Sequence, residues 1–199
     1  ALITAMGVSY IIEYATQYFA GSEVKTFPED VLNNTVFQIG GIQISQQQIY
    51  IIAVTLILML ALTYIVGHTR MGRAMRAVSV DEKAAELMGI SVERTISFTF
   101  LLGSVLAGAA GVLVGIYYNS INPLMGMVPG LKAFIAAVFG GIGIIPGAMI
   151  GGFAIGIAET MVVAYGSSLY RDAIVYVILI LILIIKPAGL LGKNVKEKV

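Results

Sequence analysis

Cysteine is absent from the 199 residues, and His68 is the only histidine. Without thiols there is no disulfide framework, thiolate metal site or cysteine nucleophile, and a lone imidazole builds no zinc cluster. Charge is also scarce. Asp, Glu, Lys and Arg make up 12% of the chain, against about 25% in soluble domains. Net charge is +1 with no basic stripe, so the electrostatic footprint of a nucleic-acid binder is missing. No GxxxxGK[ST] motif occurs to cradle a nucleotide phosphate, which excludes ATP hydrolysis by a P-loop within this chain. There is no GxSxG motif and no carboxylate pair in a recognisable site. An enzyme is not expected, and neither a cofactor nor a metal is implied.

What the chain has is apolar length. Hydrophobic residues are 58% of it and mean hydropathy is +0.94. A membrane-crossing helix needs about 20 mainly apolar residues. Residues 49–66, 96–118 and 173–185 are uncharged runs that meet or approach that length, the last flanked by Tyr170 and Lys186 as interfacial anchors. Residues 1–20 form a further span with Glu13 inside it. The chain opens on Ala1 within this apolar run, without an initiator methionine, and is expected to lack an N-terminal part.

Residues 130–164 are too long for one span, and Gly140, Gly141, Gly143, Pro146 and Gly147 interrupt their middle. Proline removes a donor and disfavours helix at the residue before it. Two short helices are expected, about 131–142 and 147–164, joined by a glycine-rich turn. A re-entrant pair is the alternative, since non-helical backbone at membrane depth is tolerated only against protein or water. The fold class is therefore all-α, a polytopic transmembrane helical bundle.

Basic residues in short loops set orientation. Residues 67–95 carry Arg70, Arg73, Arg76, Lys83 and Arg94, and the tail carries Lys186, Lys193, Lys196 and Lys198. Residues 21–48 hold Lys25 against Glu23, Glu29 and Asp30, and 119–129 are uncharged. The first two segments are expected in the cytoplasm and the last two outside. The cytoplasmic stretch is patterned. Ser79 with Glu82 matches a capping box, Asp81 and Glu82 suit the positive end of a helix dipole, and Gly89 suits a left-handed stop. Val80, Ala84, Leu87 and Met88 fall on one stripe. A short amphipathic helix across 80–88 results, which either lies on lipid or docks in a groove of another protein.

Small residues recur at Ala107, Gly111 and Gly115 and at Gly147, Gly151, Gly152 and Gly156, in rows that let membrane helices approach closely. Glu159 sits inside an apolar helix, where a carboxylate normally faces protein or water. It either pairs with a neighbour or meets a substrate ammonium. Asn119, Asn122 and Pro123 read as loop chemistry or as a docking place for a soluble protein, and His68 as an interfacial residue.

The segment DEKAAELMGI (81–90) resembles the coupling motif of ABC importer permeases, in which two alanines follow an acid and a glycine comes later. Together with RAMRAVSV before it, LAGAAGVLVG, GLKAFIAAVFGGIGIIPGAMIGG and KPAGLLG after it, it resembles the branched-chain amino acid permeases of that superfamily over most of the chain. The resemblance implies that Val80, Asp81, Glu82, Ala84, Ala85, Leu87, Met88 and Gly89 form a cytoplasmic coupling helix seated in a separate ATP-hydrolysing subunit. It further implies a second permease subunit, identical or homologous, an extracytoplasmic substrate-binding protein, a small amino-acid substrate, and a bacterial or archaeal cell membrane. About three further spans would precede residue 1. The alternatives are a secondary transporter with broken helices, or an importer of the same family for another small solute such as urea or an amide.

Overall fold

A computed structural model of the chain describes residues 2–27, 36–39 and 42–192. Glu29 and Asp30, and Lys193, Lys196 and Lys198 of the tail, lie outside the described residues. Contacts divide the chain into two compact units, 1–126 and 127–199.

The first unit begins with α1 (Leu2–Ala20). A hairpin of β1 (Val36–Ile39) and β2 (Ile42–Ser45) pairs antiparallel, with Val36 opposite Ser45. This small sheet was not expected from an all-α reading. Ser45 then starts α2 (Gln46–His68), its side chain accepting from the helix start while Gln48 reaches back to the Ser45 N–H. That capping box satisfies donors with no partner of their own. It begins the helix three residues before the uncharged run at 49. Thr69 ends α2 and caps α3 (Arg70–Val80), accepting from the Gly72 N–H at 3.0 Å. Asp81 ends α3 and caps the six-residue α4 (Glu82–Leu87). Next comes α5 (Val92–Tyr118), with Glu93 in its first turn and Asn119 in the left-handed region after it (φ 47°). Asn tolerates that conformation better than most side chains.

The second unit is a helical hairpin with a third helix against it. α6 (Met127–Gly140) and α7 (Ile145–Tyr165) are joined by 141–144, where Gly141 and Gly143 have φ of 109° and 88°. The expected break is present, with corrected edges. α6 starts at Met127 because Pro129 falls in its first turn, where a missing N–H leaves nothing unsatisfied. α7 starts at Ile145, so Pro146 does not keep Ile145 out of the helix; it too sits within the first turn. At 14 residues α6 is about 21 Å long, shorter than the hydrocarbon it would have to cross. A 3-10 turn (Ser168–Tyr170) leads into α8 (Arg171–Ile185). Ile135, Ala136, Ile155 and Val175 form the buried core of this unit, with Ile174 and Leu179 packed against it.

Candidate functional site

The segment after α2 is built as two helices, not the single one expected over 80–88. Ser79 is not its cap. It lies inside α3, and its hydroxyl donates to the Arg76 carbonyl at 2.9 Å. Asp81 is the cap, accepting the Ala84 N–H at 3.0 Å, and a carboxylate at that position also complements the helix dipole. The stop is where the sequence places it. Gly89 has φ 81°, its N–H donates to the Glu86 carbonyl at 2.9 Å, and Ile90 N–H donates to Ala85 at 3.1 Å. This double closure is a Schellman motif, and it needs a left-handed residue at Gly89.

Between two such firm ends α4 has little freedom, and its faces are sorted. Ala85 is 4% exposed and turned into its own chain. Val80, Leu87 and Met88 are 88%, 89% and 82% exposed, and Ala84, Glu82 and Lys83 are exposed beside them. Three large apolar side chains thus stand free around this short helix, Val80 at the end of α3 just before the cap, Leu87 in the last turn of α4 and Met88 at its C-cap. Such a surface suits a protein groove.

In the second unit the glycines bring helix backbones together. A Cβ on Gly140 would collide with the carbonyl of Gly147, and one on Gly151 with the carbonyl of Ala136. Gly152 and Gly156 have open space instead. The first row is packing between α6 and α7; the second is not. Residues 186–192 fold back onto the turn of the hairpin: Leu190 and Leu191 N–H groups donate to the Phe139 and Gly140 carbonyls at 2.8 and 3.2 Å. These bonds satisfy carbonyls that the end of α6 leaves open.

Glu159 is 7% exposed and lies toward the hairpin end away from that turn. Its Oε1 is 2.8 Å from Lys132 Nζ, and its Oε2 accepts from Arg171 Nε at 3.0 Å. Lys132 also meets Asp172 at 2.7 Å. Of the two readings of Glu159, pairing with neighbours is the one this geometry supports. Neither of its two partners, Lys132 and Arg171, was identified from the sequence. The packing register accounts for the pairing: Gly140 faces Gly147 and Ala136 faces Gly151, so one more four-residue step brings 132 level with 155. That is one turn short of Glu159, a gap that a lysine stem spans. Replacing Glu159 by leucine removes the buried acceptor that Lys132 and Arg171 share and is expected to lower stability by about 1–3 kcal/mol, with glutamine milder. Thermal unfolding in detergent checks this; equal melting of all three forms would remove the pairing from the stability account.

Among the described residues no cluster of His, Asp or Glu gathers to hold a metal ion. His68 stacks on Tyr64 with ring centroids 5.5 Å apart, and Asn122 caps its own turn by accepting the Leu124 N–H at 3.0 Å.

Four helical stretches, Gln46–His68, Val92–Tyr118, Ile145–Tyr165 and Ser168–Ile185, are long and apolar enough to cross a membrane. Largely exposed apolar faces on such helices define an all-α, multi-pass membrane protein. Comparison with known proteins gives the family. The sequence profile of the family described as "Branched-chain amino acid transport system / permease component" matches residues 1–183. The high-affinity branched-chain amino acid transport system permease protein LivH of Escherichia coli is 44% identical over all of this chain and 66% of its own length. The corresponding BraD protein of Pseudomonas aeruginosa is 41% identical over the same shares. The ribose import permease protein RbsC of Escherichia coli is 32% identical over 65% of this chain and 42% of its own. No solved structure matches. The chain belongs to the branched-chain amino acid transport permease family and, with four stretches able to cross a membrane, is a multi-pass inner-membrane protein; it spans just under two thirds of the length of the LivH and BraD relatives.

Proposed function

We propose that this chain is the membrane-spanning permease subunit of an ATP-driven importer of branched-chain or related small amino acids. A separate pair of ATP-binding subunits hydrolyses the nucleotide, so the permease itself is not an enzyme. A second permease subunit completes the pathway, and an extracytoplasmic binding protein delivers the substrate. The observation that carries the reading is the α3–α4 corner: α4 has its two ends fixed by Asp81 and Gly89, and apolar Leu87 and Met88 at its end and Val80 just before its cap stand exposed. A helix held this firmly transmits a push. When the ATP-binding subunits close, the groove around α4 moves, and α3 and α5 on either side of it pass the displacement to the spans. Family membership supports the solute class.

The test is uptake of radiolabelled leucine into vesicles holding the permease, ATPase and binding protein. Uptake should need internal ATP and survive collapse of ion gradients. Uptake that persists without the ATPase and follows an ion gradient would establish the secondary-transporter reading instead. The similarity to a ribose import permease makes solute choice a separate question, answered by competing leucine with urea, an amide and ribose.

The five basic residues in 67–95 place that segment in the cytoplasm under this reading. Ser79 is exposed, so Ser79→Cys in intact cells should resist an impermeant maleimide and react only after permeabilisation. Rapid labelling from outside would reverse the topology.

A further inference from the structure

α3 carries a basic face that no described acid neutralises. Arg70, Arg73 and Arg76 recur at three-residue spacing, which on a helix turns each about 60° from the last, so all three share one strip. The ion pairs among the described residues lie elsewhere, on Lys132, Glu159, Arg171 and Asp172. Arg70 and Arg73 are exposed.

The position of this strip is fixed by two contacts. Arg76 donates from Nη1 to the carbonyls of Val66, in a short contact, and of Gly67, at 3.2 Å. Gly72 is buried, and a Cβ there would collide with the carbonyls of Ile65 and Val66. α3 is therefore pressed backbone to backbone against the end of α2 and cannot roll away from it. Since α2 is an uncharged apolar helix of 23 residues apart from His68, its end lies where hydrocarbon gives way to headgroups. Tyr64, exposed and stacked on His68, is a side chain enriched at that boundary. Arg70 follows the cap of α2 directly, and Arg73 lies between it and the anchored Arg76 on the strip. On the other side of α3, Met71, Ala74, Met75 and Val78 are half-buried, so the helix is amphipathic with its charge at headgroup level.

We infer that Arg70 and Arg73 form a binding site for the phosphate headgroup of an anionic phospholipid. Guanidinium forks match phosphate oxygens in pairs, and an anionic headgroup adds net attraction that a zwitterionic one lacks. The site is distinct from the exposed apolar side chains of Val80, Leu87 and Met88.

The experiment is native mass spectrometry of the purified permease exchanged into mixtures of phosphatidylglycerol and phosphatidylcholine with matched chains. The parent should retain phosphatidylglycerol in preference to phosphatidylcholine. Arg70→Gln/Arg73→Gln should lower that retention by at least about five-fold, the effect of a single basic residue near an anionic surface, and leave phosphatidylcholine unchanged. Arg70→Lys/Arg73→Lys, which keeps the charge, should retain much of the preference, and Lys25→Gln, a charge loss elsewhere, should behave as the parent. The proposal is overturned if the parent shows no preference, or if Lys25→Gln matches the double glutamine variant. It is equally overturned if that variant keeps its lipid but loses the ATPase, which would make the strip a protein contact.

Discussion

Gly140→Ala should destabilise the α6–α7 hairpin by about 3 kcal/mol or more, although alanine is the better helix former by about 1 kcal/mol. The added Cβ meets the Gly147 carbonyl and the Ala148 nitrogen, which are backbone atoms that cannot swing aside. Relief requires the two helices to part. Membrane helices are held together largely by close packing, since lipid is as apolar as the side chains it replaces. Parting α6 from α7 would also pull the Phe139 and Gly140 carbonyls away from Leu190 and Leu191. Gly151→Ala should act similarly through the Ala136 carbonyl. Gly152→Ala and Gly156→Ala meet nothing and should stay within about 0.5 kcal/mol of the parent. Melting curves and monodispersity in detergent separate the two pairs; a Gly140 variant as stable as the Gly156 variant would refute the close crossing.

The glycine break was legible because its cause is local. Gly140 to Gly147 leaves no stretch that an uninterrupted helix would prefer, and the positive φ at Gly141 and Gly143 is what glycine alone adopts readily. The Gly89 stop was legible for the same reason. The apolar helices were visible as runs, but their ends were not, because Ser45 with Gln48 and the first turn containing Pro129 add polar or proline residues that hydropathy excludes. The expected cap, Ser79, lies two residues before the one the structure uses, and Asp81 was read only as a first-turn acid. Asp81 prevails because α3 extends through Ser79, whose hydroxyl then bonds back to Arg76. Least legible were partnerships between distant parts of the chain: Glu159 with Lys132 and Arg171, and 186–192 under the hairpin turn. Both depend on the register in which α6, α7 and α8 pack, and no local pattern encodes that.

Ala84→Trp and Leu87→Asp should abolish association with the ATP-binding subunits while leaving the permease folded. Both positions are exposed, so neither change disturbs the chain's own packing. Ala85, at 4% exposure, is a poor probe, because a larger residue there strikes the permease itself. If α4 sits in a groove, a tryptophan at 84 overfills it, and an aspartate at 87 buries a charge without a partner. Loss of a central interface residue commonly weakens binding by about 2 kcal/mol or more, roughly 30-fold. Gly89→Val acts by another route. Valine resists φ near 81°, so the closure through Glu86 and Ala85 loosens and the helix end swings. That variant should keep some ATPase binding but lose substrate-stimulated hydrolysis, because a helix with a soft end no longer transmits displacement. Co-purification and hydrolysis in reconstituted membranes read the two effects separately. Should Leu87→Asp and Ala84→Trp bind and stimulate the ATPase as the parent does, α4 is not the contact, and its apolar stripe rests on lipid instead.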